Sequence, residues 1–144
     1  MKYNNDRICT TNKGGQNLCR KISQGDRRVL IVDDEPFMTE TLHDLLKELD
    51  FQVTTANNGL DAINLIKSIP IDVAILDIKM PEMNGFEVFK KMKEIKPKTK
   101  YALMTGYAVE EIINEAIRSG IKKIFYKPLD LEGLVRFIQE NNNS

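Results

Sequence analysis

Short apolar runs alternate with segments of helical periodicity along most of this chain, and that alternation constrains its fold more than any other feature. Four of the runs also end in a polar residue of particular chemistry. Residues 29–32 (VLIV) lead into Asp33 and Asp34, 73–76 (VAIL) into Asp77, 101–104 (YALM) into Thr105, and 124–126 (IFY) into Lys127 and Pro128. Continuous apolar runs of this length read as strands buried on both faces. If they are neighbours in a parallel sheet, three carboxylates, a hydroxyl and an ammonium meet at one edge. Such a cluster can hold a divalent cation and carry a phosphoryl group.

Between the runs the period changes. After Pro36, which suits the first turn of a helix, Met38, Leu42, Leu45, Leu46 and Leu49 fall on one helical face. A strand is expected at 51–55. Asn57, Asn58 and Gly59 then form a turn and cap into a helix over 60–68, which Pro70 cannot extend. The remaining strands are expected at 28–32, 72–76, 100–104 and 122–126, and the remaining helices at 86–95, 108–119 and 130–140. Gly120 supplies the C′ position after 108–119, and the Asp130 carboxylate a cap for the last helix. Five β-α units in series imply a parallel sheet covered on both faces. Right-handed crossovers leave an open, doubly wound, five-stranded α/β sheet as the simplest arrangement. Ligands in such sheets bind beyond the carboxyl ends of the strands, at the topological switch point. That rule gathers Asp33, Asp34, Asp77, Thr105 and Lys127.

A chain of 144 residues suffices for one domain with a substantial core. Its formal net charge is zero but uneven: residues 1–26 carry five Lys/Arg against two Asp/Glu. The rest is slightly negative and carries no electrostatic footprint for nucleic acid. No apolar run approaches the roughly 18 residues of a membrane span, and the N-terminus lacks the apolar centre of a secretory signal. A cytoplasmic protein is expected. Residues 1–26, rich in Asn, Thr, Gly, Gln and Lys, read as a flexible polar tail with at most a short helix at 17–23, and 27–144 as the folded domain. Cys9 and Cys19, with nine residues between them, fit no zinc spacing and read as incidental reduced thiols.

Three carboxylates in one place repel one another and raise at least one pKa. A hard divalent cation removes that conflict. Magnesium fits, because it takes oxygen ligands, keeps waters and needs only one or two carboxylates; no nearby Cys or His favours zinc. Lys127 supplies a point charge, and Thr105 a hydroxyl, for phosphate oxygens. An aspartate beside the metal and those donors can attack phosphorus to give an acyl phosphate. Asp77, alone on the central strand of the three, is the candidate nucleophile, with Asp33 and Asp34 as cation holders.

The segments VLIVDDEP, VAILDIKMPEMNGFEVFKKMK, LMTGYA and FYKPLD resemble the motifs of bacterial two-component response-regulator receiver domains, in order and at family spacing, across residues 28–140. The resemblance implies a (βα)5 flavodoxin-like fold with strand order 2-1-3-4-5. It implies that Asp77 accepts a phosphoryl group from a histidine of a sensor histidine kinase or a histidine phosphotransfer protein. It further implies Mg2+ held by Asp34, Asp77 and the backbone carbonyl of Lys79, with Asp33 reaching the ion through water. Thr105 and Lys127 would clasp the phosphoryl group, and Lys127–Pro128 would be a cis peptide. The implied protein is a signalling phosphoacceptor rather than an enzyme, with self-phosphorylation and autophosphatase chemistry only. It would act by contact on a downstream protein that the sequence does not identify, with no nucleic-acid or membrane partner.

Two features depart from the family pattern. The aromatic residue usually found three positions before the lysine is Ile124 here, followed by Phe125 and Tyr126. Isoleucine has no ring to swing, so either Tyr107 takes over the readout or output is muted. Lys79 and Tyr107, each two positions after a site residue, border the path of attacking water by the same resemblance; two long side chains there imply a long-lived acyl phosphate. His43, the only histidine, falls off the apolar seam of the first helix and reads as a surface residue rather than a phosphoacceptor. The lysines of 90–98 read as a solvated face. Two other functions stay open: a degenerate receiver serving as a constitutive binding module, and a Mg2+-dependent phosphohydrolase of haloacid-dehalogenase type. The latter needs a second Asp where this chain has Lys79, and a cap insertion. Ser144 follows the last helix closely, as expected of a single-domain regulator or of a piece of a longer protein.

Overall fold

The computed structural model describes residues 27–106 and 110–140, and the backbone of 7–11 and 17–21. Its strands are β1 (Arg7–Thr11), β2 (Asn17–Lys21), β3 (Arg28–Val32), β4 (Gln52–Ala56), β5 (Val73–Asp77), β6 (Lys100–Thr105) and β7 (Lys123–Tyr126). Its helices are α1 (Pro36–Glu48), α2 (Gly59–Ser68), α3 (Gly85–Ile95), α4 (Glu110–Arg118) and α5 (Leu131–Gln139). Strands β3 to β7 form one parallel sheet in the order β4-β3-β5-β6-β7, which is 2-1-3-4-5 counted within the sheet. This is the flavodoxin-like arrangement expected from the sequence.

Strand alternation builds two cores. Leu30, Val32, Ala74, Leu76, Tyr101 and Leu103 face α2, α3 and α4, meeting Ile66, Val88, Phe89, Met92 and Ala116. Val29, Ile31, Val73, Ile75, Ala102, Met104 and Phe125 face α1 and α5, meeting Leu42, Leu46, Leu134, Phe137 and Ile138. All of β5 is buried, as a central parallel strand must be. Each fully buried Leu, Ile or Phe contributes roughly 1.5–3 kcal/mol, so β5, like the equally buried β6, is a firmly held platform. Among the described residues no helix is long and apolar enough to cross a membrane.

Helix ends follow their cap chemistry in some places and not in others. Asn58 accepts the Asp61 N–H at 2.8 Å. Asn84 and Glu87 form a reciprocal capping box that starts α3 directly after the loop beyond β5. Gly120 follows α4 at φ 106°, the left-handed C′ conformation expected of it. Asp130 occupies the N-cap position of α5, but its side chain makes no cap bond. Its ψ of 102° differs from the 166° of Asn58 and Asn84, and its carboxylate, though it lies over Gly133 in the first turn, accepts no cap bond there. Asp50 takes the left-handed position after α1, at φ 71°, where a glycine would be the easier residue.

The N-terminal segment departs from the expected tail. Residues 7–11 and 17–21 pair as an antiparallel hairpin, and the short helix expected at 17–23 is replaced by β2 over 17–21. A hairpin needs only local backbone pairing and turn-prone residues such as Asn12, Gly14 and Gly15 between its strands. It does not need the apolar content whose shortage suggested a tail.

Candidate functional site

The carboxyl ends of β3 and β5 carry Asp33, Asp34 and Asp77, and one carboxylate oxygen from each lies within 4.8 Å of the others. Asp33 is fully buried and Asp77 is 4% exposed, whereas Asp34 is half-buried. From the end of β7, Lys127 Nζ lies 2.9 Å from Asp33 Oδ2 and 3.5 Å from Asp77 Oδ1. Positions 33, 77 and 127 continue the alternation of Ile31, Ile75 and Phe125, so all three belong to the face of the sheet that α1 and α5 cover. Thr105, buried at the end of β6, follows the opposite alternation, that of Tyr101 and Leu103. The Lys127 N–H donates to the Thr105 carbonyl at 2.8 Å, which ties the ends of β6 and β7 together. The peptide between Lys127 and Pro128 is cis.

Local hydrogen bonds hold the acidic loop in place. Asp33 Oδ1 accepts the Glu35 N–H at 2.9 Å. Asn57, after β4, donates from Nδ2 to the Asp33 carbonyl at 2.9 Å and to Thr39 Oγ1 at 3.1 Å. Thr39 in turn donates to the Pro36 carbonyl at 3.0 Å. Beyond β5, the Ile78 N–H donates to the Met104 carbonyl and the Gly85 N–H to the Ile78 carbonyl, both at 2.9 Å. A Cβ at Gly85 would lie 2.2 Å from the Asp77 carbonyl oxygen, so only glycine lets α3 begin this close to the strand end. The sequence offered Asn57 as a turn residue; its reach to Asp33, and the close approach of Gly85 to Asp77, are products of the fold.

The electrostatics reflect three acids around one base. Burial and the neighbouring Asp33 charge push the Asp77 carboxyl up to about 6, against the opposing pull of Lys127 and the Lys79 N–H. Burial alone would lower the Lys127 ammonium, but its hydrogen bond to Asp33 and the charges of Asp77 and Asp33 raise it instead. The donor set is all oxygen and carries surplus negative charge, which suits a hard divalent cation. Lys79, two positions after Asp77, is exposed; Ile124 is half-buried against the α2–α4 core; Pro128 is exposed at the rim. Tyr107 lies outside the described residues. His43 sits apart on α1, its Nδ1 3.1 Å from Asp44 Oδ1.

A family model for the response regulator receiver domain matches residues 29–139. The chain is 33% identical over 115 residues to the chemotaxis protein CheY of Thermotoga maritima, a match spanning 79% of this chain and 96% of that protein. It is 39% identical over 112 residues to the regulatory protein AtoC of Escherichia coli, where the match spans 78% of this chain but only 24% of the relative. The sporulation initiation phosphotransferase F of Bacillus subtilis is 32% identical over 107 residues, or 74% of this chain and 86% of that protein. A CheY-like receiver domain protein from Methanospirillum hungatei JF-1 superposes with a TM-score of 0.77 at 27% identity, covering 81% of this chain and 94% of that one. On its sequence, its strand order and the acids at the edge of its sheet, this chain belongs to the response-regulator receiver domain family of two-component signalling.

Proposed function

We propose that this receiver takes a phosphoryl group onto Asp77 from the phosphohistidine of a sensor histidine kinase or a histidine phosphotransfer protein. The observation that carries the reading is the convergence of Asp33, Asp34 and Asp77 within 4.8 Å, with Lys127 3.5 Å from Asp77. An Asp77 oxygen attacks phosphorus as the P–N bond breaks, and the imidazole leaves with the bonding pair. Lys127 turns its ammonium from Asp77 to a phosphoryl oxygen, and the Thr105 hydroxyl donates to another. Asp33, Asp34, Asp77 and the Lys79 carbonyl would hold Mg2+, which when bound offsets the negative charge gathered at the transferred group.

Hydrolysis of the acyl phosphate resets the protein, and Lys79 and Tyr107 slow it by screening the approach of water. Ile124 repacks within the α2–α4 core without swinging a ring, which suits a domain passing phosphate along a relay through protein contacts in the cytoplasm. Acetyl phosphate with Mg2+ tests the chemistry directly. Intact-mass analysis should find one added phosphoryl group in the wild type and none in Asp77→Asn. Persistent labelling of that variant, or an unlabelled wild type with Mg2+ present, would refute the assignment. Dephosphorylation as rapid as in chemotaxis-type receivers would refute the screening by Lys79 and Tyr107.

A further inference from the structure

We infer that Cys9 and Cys19 form a cross-strand dithiol that closes reversibly to an intramolecular disulfide, making the N-terminal hairpin a thiol–disulfide exchange site. These are the only two cysteines of the chain. The antiparallel register sets them directly opposite one another, as the middle of five residue pairs. Opposed residues in such a ladder have Cα atoms about 4.5 or 5.5 Å apart. Both values fall within the roughly 4.4–6.8 Å that a disulfide spans. Opposed positions also share a face of the ladder. A register slip of one residue would carry one thiol to the other face.

The register also brings basic positions to the face of the pair. Strand alternation puts the Arg7–Lys21 register pair on the face of the Cys9–Cys19 pair, two residues along, and Arg20 adjoins Cys19 in sequence. Cations close to a thiol stabilise the thiolate, which is the attacking species in exchange. Among the described residues β1 and β2 pair only with each other. A lone two-stranded hairpin is marginal in water, so a covalent link across its centre is a large constraint on this segment.

The oxidant is a low-molecular-weight disulfide. One cysteine thiolate attacks it, giving a mixed disulfide and releasing one small thiol. The second thiolate then attacks the protein sulfur of that mixed disulfide and expels the other small thiol. Two protein thiols lose two protons and two electrons overall, and the small disulfide becomes two thiols.

The experiment equilibrates the full chain in glutathione buffers of graded oxidation, alkylates the remaining thiols and digests with trypsin. Cuts after Arg7, Lys13 and Arg20 place the two cysteines on separate peptides, 8–13 and 14–20. The expected product is monomeric, with these peptides joined, both alkylation sites lost together, and full recovery on reduction. In the double variant Leu18→Cys with Cys19→Ser the second thiol moves to the opposite face. Its closure constant should fall on the order of tenfold or more. Mixed glutathione adducts only, disulfide-linked dimers, or a double variant that closes as readily as the wild type would each overturn the inference.

Discussion

Substituting Gly85 by alanine measures how closely fold and site are coupled. Gly85 is the first residue of α3, and its N–H donates to the Ile78 carbonyl at 2.9 Å. A Cβ there would lie 2.2 Å from the Asp77 carbonyl oxygen, 2.8 Å from its carbon and 3.0 Å from Ile78 Cα. Carbon and oxygen tolerate approach to about 3.3 Å, so α3 and the end of β5 must part by about 1 Å. Neither side gives easily. All five residues of β5 are buried, and α3 is anchored behind Gly85 by Phe86, Val88, Phe89 and Met92. Overpacking of a well-packed core costs about 1–3 kcal/mol, and the better helix propensity of alanine returns less than about 1 kcal/mol. The contact is with backbone rather than a flexible side chain, so the net loss should be about 2 kcal/mol. The same displacement moves the Asp77 carboxylate, and a 1 Å misplacement costs on the order of 100-fold in rate. Urea denaturation gives the first quantity and the acetyl phosphate labelling rate the second. Gly106→Ala, whose Cβ meets nothing within 4 Å, is the stability control. A Gly85→Ala protein that unfolds like the wild type and labels at the same rate would refute the coupling.

Three further outcomes follow from individual contacts. Lys127→Met leaves the fully buried Asp33 facing Asp77 without its cation; loss of one partner from a buried pair costs about 3 kcal/mol or more, partly restored by Mg2+, and an unchanged metal-free Tm would count against the pairing. Asp72 accepts Arg28 Nε at 3.0 Å and the Arg28 N–H at 2.9 Å. Burial raises its pKa, but the hydrogen bonds and charge of Arg28 outweigh that and leave it below 3.8. The stabilisation is therefore complete above the unfolded value and disappears as pH falls through the lower folded one. Wild type should exceed Asp72→Asn by about 1 kcal/mol after solvent screening at pH 7, and urea midpoints should converge in strong acid; a gap that persists there would contradict the linkage. Asn84→Ala removes one half of the α3 capping box and should cost about 1 kcal/mol in the same urea assay, a loss that would be absent if the box merely decorated the surface.

The five strands of the sheet were legible from their runs to within one residue. β3, β5 and β6 lie inside the sheet, so their sequences are continuous apolar runs, and the expected 28–32, 72–76 and 100–104 fall within one residue of the strands found. The edge strand β4, half-exposed and carrying Thr54 and Thr55, begins one residue after the expected 51–55, the same offset as buried β5. Caps were legible where one residue type dominates the position, as at Asn58 and Gly120. They were not where backbone angles decide the outcome, as at Asp50 and Asp130. The hairpin was invisible for a different reason. Its order comes from the β1–β2 ladder itself, and a polar composition says little about pairing between adjacent segments.

The acids and the lysine were legible as a group because parallel strands end at a common edge, but their partition was not. Strand alternation assigns Asp33, Asp77 and Lys127 to the α1–α5 face, and Lys127 accordingly approaches both carboxylates. Thr105 belongs to the other alternation, with Leu103, and Leu103 is the register partner of Ile124. Ile124 packs into that same α2–α4 core. The sheet thus puts the proposed acceptor, Asp33 and Lys127 on one face, and on the other Thr105, which is proposed both to bind the phosphoryl group and to sense it. Asp33, Asp77 and Lys127 belong to one side, while Thr105 shares the other with Ile124 and with its own register partner, Tyr126. The Thr105–Tyr126 pair is the next on that face beyond Leu103 and Ile124, so a shift of Thr105 toward a phosphoryl oxygen would be felt at Tyr126 and then at Ile124, in a core already closed by Ile113, Ala116 and Ile121. Packing of that density transmits a displacement without needing an aromatic ring to carry it, so under the proposed function the missing aromatic at position 124 would alter the form of the response more than its existence.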